Sequence, residues 1–142
     1  LSIRRQRQMC IRDSVSSGNQ TVPTATVRLR KAATSRSKKD TVLEDAGVGD
    51  GPVDAALKAI DRLTDTQGRL KDYALRVDSH GKDALGEVSL KVDFGDGELV
   101  TGKGASTDVI EASAKAYLNA VNRHLSSKQR KKQARKKAKG QP

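Results

Sequence analysis

The stretch GDGPVDAALKAI, residues 49–60, places two glycines and a proline directly before a run of apolar residues at helical spacing. Pro52 suits the first position of a helix, because the N–H that proline lacks would have no intrahelical partner there. The apolar side chains that follow lie three or four residues apart, as on one face of a helix: Val53, Ala56, Leu57, Ile60 and Leu63. The stretch therefore predicts a helix over 52–64 that begins at a sharp corner.

A second stretch, GKGASTDVIEASAKAYLNAVN at 102–122, repeats this arrangement. We interpret its GxG as a second turn, with Ser106 or Thr107 as the helix cap and Asp108 in the first turn, where the helix dipole favours an acid. Alanines flank the apolar stripe and allow close approach to a sheet or another helix. The two corners indicate an internal repeat. The stripe and its flanking alanines are Ile110, Ala114, Tyr117, Val121 and Leu125, with Ala112, Ala116 and Ala120.

Strands are predicted before each helix. Residues 25–30 and 41–48 read as strands ahead of the first helix. Between the helices, 73–78 and 87–94 show the alternation of a half-buried strand, and 98–102 follows as a short third strand after a glycine turn. Most neighbours are joined by short turns, so we predict an α+β fold of antiparallel sheets with helices on one face. Because the apolar stripes are modest, we expect a second copy of the chain to complete the surface.

The positive charge lies at the two ends of the chain. The net charge is +11, of which residues 1–14 carry +3 and residues 128–142 carry +8. The remainder, 15–127, holds sixteen basic and sixteen acidic residues. A basic character spread over the whole fold would indicate a nucleic-acid or membrane partner, but the part predicted to fold is neutral, so we expect neither partner for it.

The N-terminal residues resemble the translated sequence of a DNA adapter used in sequencing. The segment Gln8–Asp13 back-translates naturally to a mosaic-end adapter, so we predict that residues 1–14 are adapter-derived and disordered, with a genuine basic leader as the alternative. Cys10 is the only cysteine and lies here, so it supports no catalytic or redox inference. Leu1 in place of Met suggests that the chain is a fragment.

The C-terminal tail, residues 128–142, contains no apolar residue larger than alanine apart from its final proline. We expect it to be disordered or a frayed helical extension that aids solubility, or that makes weak contact with RNA through counterion release. The chain has neither an apolar run of about 18 residues nor a secretory signal, so we expect a cytoplasmic protein without a membrane partner.

No enzymatic constellation is apparent in the sequence. His80 and His124 stand alone, without other ligands at metal-binding spacing, and we predict both to be solvated. The two GxG pairs lack the third glycine of a dinucleotide fingerprint and the Lys-Ser/Thr of a phosphate loop. The sequence thus predicts no catalytic residue, no metal site and no cofactor, and it is typical of a binding module.

Three separated motifs together resemble a known family. GDGPVDAALKAI, DYALRVDSHGKDALGEVSLKV and GKGASTDVIEASAKAYLNAVN are similar, in order and spacing, to the C-terminal regulatory domain of 2-isopropylmalate synthase. The resemblance runs from about Thr24 to Leu125. Citramalate and homocitrate synthases carry similar domains and remain alternatives, as does a basic-tailed RNA-binding module.

The resemblance implies two βββα units, pairing with a second copy, and leucine as a feedback effector bound by a regulatory domain at 15–127. It also implies a catalytic barrel that condenses acetyl-CoA with 3-methyl-2-oxobutanoate using a divalent metal. No HxH metal motif is present, so this barrel is expected outside the chain. By position, the effector contacts of the family fall on Gly51, Pro52, Val53, Asp54, Tyr73, Val77, Asp83 and Ala84.

A helix start can hold an amino-acid effector. The N–H groups after Pro52, on Val53, Asp54 and Ala55, would receive its carboxylate at the positive end of the helix. Asp54, Asp83 or a backbone carbonyl would take the ammonium. One tension is that Asp54 competes with the ligand carboxylate for the same helix dipole.

Overall fold

A computed structural model describes residues 7–10, 16–18, 21–31, 41–78 and 84–140. Two successive units each end in a helix, and the predicted α+β class with two antiparallel sheets is confirmed. The first unit comprises β1 (Arg7–Cys10), β2 (Ser16–Gly18), β3 (Thr21–Lys31), β4 (Thr41–Val48) and α1 (Pro52–Thr64). The second comprises β5 (Arg69–Asp78), β6 (Leu85–Asp93), β7 (Leu99–Ser106) and α2 (Val109–Lys139).

Strand β3 is the centre of the first sheet. Strand β4 pairs along one of its edges, while β1 and β2 pair with the two halves of the other edge. The first unit is therefore βββα in plan, with its first strand in two pieces, whereas the sequence pattern indicated only two strands here. Residues 7–10 form β1 inside the segment that was predicted to be disordered. The adapter origin of residues 1–14 stays a prediction.

The second sheet has the order β5-β6-β7, with β6 in the centre. Val88, Leu90 and Val92 alternate along β6 and are buried, as the strict alternation in the sequence predicted. Helix α2 covers β6 and β7, while α1 covers β3 and β4 and touches α2. The helices thus bury the inner faces of both sheets, and strand β5 is left at an edge.

Two glycines predicted to form a turn instead lie within β7. A Cβ at Gly102 would stand 2.0 Å from the Ala116 carbonyl oxygen, and one at Gly104 would stand 2.5 Å from that of Ala112. The turn prediction is wrong, because these glycines let α2 lie directly on the strand. The expected close approach of the alanines is confirmed. Gly47 in β4 has the same relation to α1, with 2.3 Å to the Ala55 oxygen.

The N-terminal end of α2 differs from the sequence prediction, and its C-terminal end follows one of the two predicted alternatives. The N-cap is Asp108, whose carboxylate accepts the Ile110 N–H at 2.9 Å, so neither Ser106 nor Thr107 is the cap. At the other end, residues 128–139 are helical, as in the predicted helical extension and not as in its alternative, a disordered tail. No helix in the described part of the chain is long and apolar enough to cross a bilayer.

Candidate functional site

A cavity of about 510 Å³ lies between α1, the beginning of β5 and α2. This volume falls within the range of small-molecule sites. Apolar side chains form most of the wall, and both signs of charge are present at its edge. The lining residues are Val53, Asp54, Leu57, Lys58, Asp61, Gly68, Leu70, Tyr73 and Tyr117.

One end of the cavity is the start of α1. Gly51 is the N-cap and Pro52 follows as the first helical residue. The Ala55 N–H donates to the Gly51 carbonyl at 2.9 Å, so the helical ladder already begins there. The prediction that the Ala55 N–H is open is therefore wrong. The N–H groups of Val53 and Asp54 precede the ladder and have no acceptor within the helix.

The Asp54 carboxylate is held by its own surroundings. It accepts the Asp50 N–H at 3.0 Å and forms an ion pair of 2.9 Å with Lys58. Partial burial opposes ionisation, but the hydrogen bonds from Lys58 and Asp50 prevail and hold the pKa of Asp54 below its ordinary value. At neutral pH this end of the cavity thus carries a carboxylate and an ammonium side by side.

The other end of the cavity is built around Asp61. Its carboxylate accepts hydrogen bonds from the Tyr117 hydroxyl and, at 3.2 Å, from the Thr66 hydroxyl. Burial raises the pKa of Asp61 in spite of these bonds, and burial together with Asp61 raises the pKa of Tyr117. This pair ties the end of α1 to the buried side of α2.

Tyr73 forms the wall contributed by the edge strand. Its hydroxyl lies 2.7 Å from the Ser113 hydroxyl on α2. Ser113 donates to the Val109 carbonyl at 2.7 Å, so Tyr73 is the donor in the pair. The ring is half-buried, which leaves one side facing the cavity and solvent.

The structure brings together only some of the predicted effector residues. Val53, Asp54 and Tyr73 line the cavity, and Gly51 and Pro52 adjoin it at the helix start. Val77 is exposed and lies four residues beyond Tyr73 along β5, about 13 Å away at 3.3 Å per residue. Ala84 is exposed just before β6, and Asp83 lies outside the described residues.

Sequence reasoning missed six lining residues as site residues: Leu57, Lys58, Asp61, Gly68, Leu70 and Tyr117. Helical spacing offered a signal for two of them, since Leu57 and Asp61 follow Val53 at intervals of four on one face of α1. Nothing in the local pattern joins α1 to Leu70 or Tyr117, which reach the cavity only through tertiary packing. Among the residues that the structure describes, no group of three His, Cys, Asp or Glu could hold a metal ion.

Beside the cavity lies an uncovered apolar strip on β5. Its members, which we call the β5 strip, are Leu70, Tyr73, Leu75 and Val77, each between 37% and 58% exposed. Tyr73 pairs with Leu90 and Leu75 with Val88, so the strip shares a face with the buried side of β6. It is the part of the core face of this sheet that α2 leaves largely uncovered, although the Tyr73 hydroxyl contacts Ser113 of that helix.

The model of a protein family described as the LeuA allosteric (dimerisation) domain matches residues 5–125. The chain belongs to this family. The match covers most of the chain and confirms the resemblance seen in the three motifs. It ends before the basic tail, and it begins inside the segment that was predicted to be adapter-derived.

Curated relatives of this LeuA domain share the name 2-isopropylmalate synthase. The protein from Methylacidiphilum infernorum is 54% identical over 104 residues, which is 73% of this chain and 19% of the relative. Those from Carboxydothermus hydrogenoformans and Heliobacterium modesticaldum are 49% and 50% identical over 111 and 109 residues, or 78% and 77% of this chain and 20% of each relative. The chain thus spans about a fifth of the length of these relatives.

His124 is not solvated as predicted. Its ring stacks on that of Phe94 with centroids 4.4 Å apart, and its side chain is 13% exposed. It packs the middle of α2 against the turn after β6 and takes no part in the cavity. His80 lies outside the described residues.

Proposed function

We propose that this LeuA domain senses a free branched-chain amino acid, with leucine as the first candidate, and regulates the longer protein to which it belongs. The observation that carries the proposal is the cavity, because it joins an aliphatic and aromatic wall to groups of both charges. An α-amino acid with an aliphatic side chain carries the same combination. The family description, which names allostery, supports a regulatory role.

The expected binding free energy suits an effector that binds reversibly. Full burial of a leucine side chain against Leu57, Leu70 and Tyr73 stabilises the complex by about 2 kcal/mol. The charged ends of the ligand supply the rest. Selectivity among leucine, isoleucine and valine depends on one methylene or its position, which is worth about 1–3 kcal/mol. The regulatory domain of a citramalate or homocitrate synthase therefore remains the alternative.

We place the ligand carboxylate at the N–H groups of Val53 and Asp54. The ammonium of the ligand then binds the Asp54 carboxylate or a backbone carbonyl nearby. Asp61 lies about two turns farther along α1, roughly 10 Å at 1.5 Å per residue, and cannot reach the ammonium on the same carbon atom. Asp61 consequently shapes the other end of the cavity and does not bind the ligand's charged groups.

Two copies of the domain pair in this proposal, and the β5 strip is the surface that a second copy covers. A ligand bound beside that strip would alter how the copies fit together. Coupling of roughly 1–3 kcal/mol to a distant active site is the ordinary size of such an effect. The condensation of acetyl-CoA with 3-methyl-2-oxobutanoate, its divalent metal and a cytoplasmic location belong to the proposal for the longer protein.

Isothermal titration of the chain with leucine, isoleucine and valine tests the proposal. We expect leucine to bind and Leu70→Gln to weaken binding about tenfold, because one wall of the cavity becomes polar. Leu99→Gln is the matched control: Leu99 is a half-exposed strand leucine like Leu70, but it does not line the cavity. Absence of binding by all three amino acids at millimolar concentration, or equal effects of the two variants, would contradict the proposal.

A further inference from the structure

Helix α2 continues well past the family match, which ends at residue 125. We call Lys128–Lys139 the basic extension. It carries eight lysines or arginines and no acidic residue, and nearly all of its side chains are exposed. Because residues 15–127 are neutral, most of the net positive charge of the molecule is concentrated on this one helical segment.

The basic extension prolongs the core-facing side of α2. Tyr117, Val121 and Leu125 mark that side where the helix packs on its sheet. Past the end of the sheet, the same side carries basic residues at the same spacing of three or four, within an arc of about 140°. Arg130 and Lys137 lie on the opposite side. The residues of this basic face are Lys128, Lys131, Lys132, Arg135, Lys136 and Lys139.

The basic face is largely without counter-charges. In the described part of the chain, Lys131 is its one member with an ion pair, at 3.4 Å from an exposed Glu98. Neighbours four apart on the face, such as Lys128 and Lys132, carry like charges and repel each other within the helix. A partner that supplies a row of negative charges would relieve this repulsion along the whole segment.

We propose that the basic face binds the phosphate backbone of double-stranded DNA. A membrane surface suits it poorly, since residues 126–139 offer no apolar side chain larger than alanine to insert between lipids. Single-stranded nucleic acid suits it poorly as well, because the extension has no aromatic ring for stacking bases.

The width of the major groove favours DNA over duplex RNA as the partner. A helix about 10–12 Å across matches the width of the major groove of B-form DNA. The major groove of an RNA duplex is deep and too narrow for it. The contacts are to phosphates and therefore independent of base sequence.

The salt dependence of DNA binding can be predicted from the number of phosphate contacts. With Lys131 engaged by Glu98, about five residues of the face are free to neutralise phosphates. Counterion release then predicts a slope of about −4.5 for log affinity against log salt, so affinity falls about 500-fold between 50 and 200 mM salt. Removing two contacts should reduce the slope to about −2.7.

Fluorescence anisotropy with a labelled 20-base-pair DNA duplex and the full chain tests this. Lys132→Gln with Arg135→Gln removes one lysine and one arginine from the basic face. Arg130→Gln with Lys137→Gln removes the same pair of residue types from the opposite side. We expect the slope to drop to about −2.7 in the first double variant and to stay near −4.5 in the second, with the same helical circular dichroism in both.

Three results would overturn the proposal. The first is no binding of the duplex by the intact chain at 50 mM salt and tens of micromolar protein. The second is an equal loss in the two double variants, which would show that the face has no role. The third is tighter binding to single-stranded RNA, or to phosphatidylserine vesicles, than to duplex DNA.

Discussion

At the scale of single residues, the glycines of β7 show most directly how this sequence sets its packing. Gly102 faces the Ala116 carbonyl oxygen so closely that a methyl group would stand 2.0 Å from it, and backbone cannot yield as a flexible side chain can. We therefore expect Gly102→Ala to lower the free energy of unfolding by about 3 kcal/mol, at the upper end of the usual cost of overpacking. Denaturant unfolding followed by circular dichroism measures the change.

Gly51→Ala is the control for that substitution. A Cβ at Gly51 meets nothing within 4 Å, and its φ of −150° is open to any residue. Only the preference of the helix cap is lost, at a cost below about 1 kcal/mol. Similar losses of stability in the two variants would mean that α2 does not rest on β7 as the structure has it.

Asp61 gives the stability of the domain a pH dependence of unusual sign. Its folded-state pKa is raised by burial, so above the unfolded value of about 3.9 the folded chain binds more protons than the unfolded chain. The stabilisation present at low pH is lost as pH rises through the folded pKa. Asp61→Asn has no carboxylate here and lacks this loss. Its free energy of unfolding, measured with urea, should therefore rise relative to that of the native chain between about pH 4 and pH 7.

Asp54→Asn provides the comparison of opposite sign. The pKa of Asp54 is lowered in the fold, so its contribution is present above pH 3.9 and is lost as pH falls through the lower folded value. This variant should lose stability relative to the native chain as pH rises to about 4, and the difference should be flat above that. A flat difference for Asp61→Asn between pH 4 and 7 would contradict the assignment of Asp61.

At the scale of elements, the sequence pattern was sufficient for α1, which buries one face, and for β4, although nearly all of β4 is exposed. Strand β4 was predicted at 41–48 and occupies Thr41–Val48, and α1 was predicted at 52–64 and occupies Pro52–Thr64. The GxG at 102–104 misled because glycine is typical both of turns and of close backbone approach, and only the partner alanines across α2 distinguish the two. For the candidate site, helical spacing could reach Leu57 and Asp61, whereas Leu70 and Tyr117 needed the tertiary fold.

At the scale of the whole molecule, the β5 strip predicts where two copies meet. Leu75 and Val77 lie on an edge strand, on the face that elsewhere in this sheet is covered by α2, and they are 43% and 58% exposed. Because each of these side chains is already about half buried, covering the rest of it contributes about 0.7–1.5 kcal/mol, half of the value for full burial. We expect Leu75→Lys with Val77→Lys to separate the copies, because four lysines would then face one another across the paired surface. Sedimentation equilibrium should give a mass near 15.3 kDa for this variant and twice that for the native chain.

A control double variant elsewhere on the surface tests whether dissociation depends on the position of the substituted residues or only on the loss of exposed apolar surface. Val42 on β4 and Leu99 on β7 are 57% and 55% exposed, and they lie outside the β5 strip. Val42→Lys with Leu99→Lys adds the same charge and removes comparable apolar surface, so we expect this variant to remain paired. If it dissociates while the Leu75 and Val77 variant stays paired, the copies meet on another face. In that case the cavity beside Tyr73 is not next to the contact, and an effector bound there would need a different route to the partner.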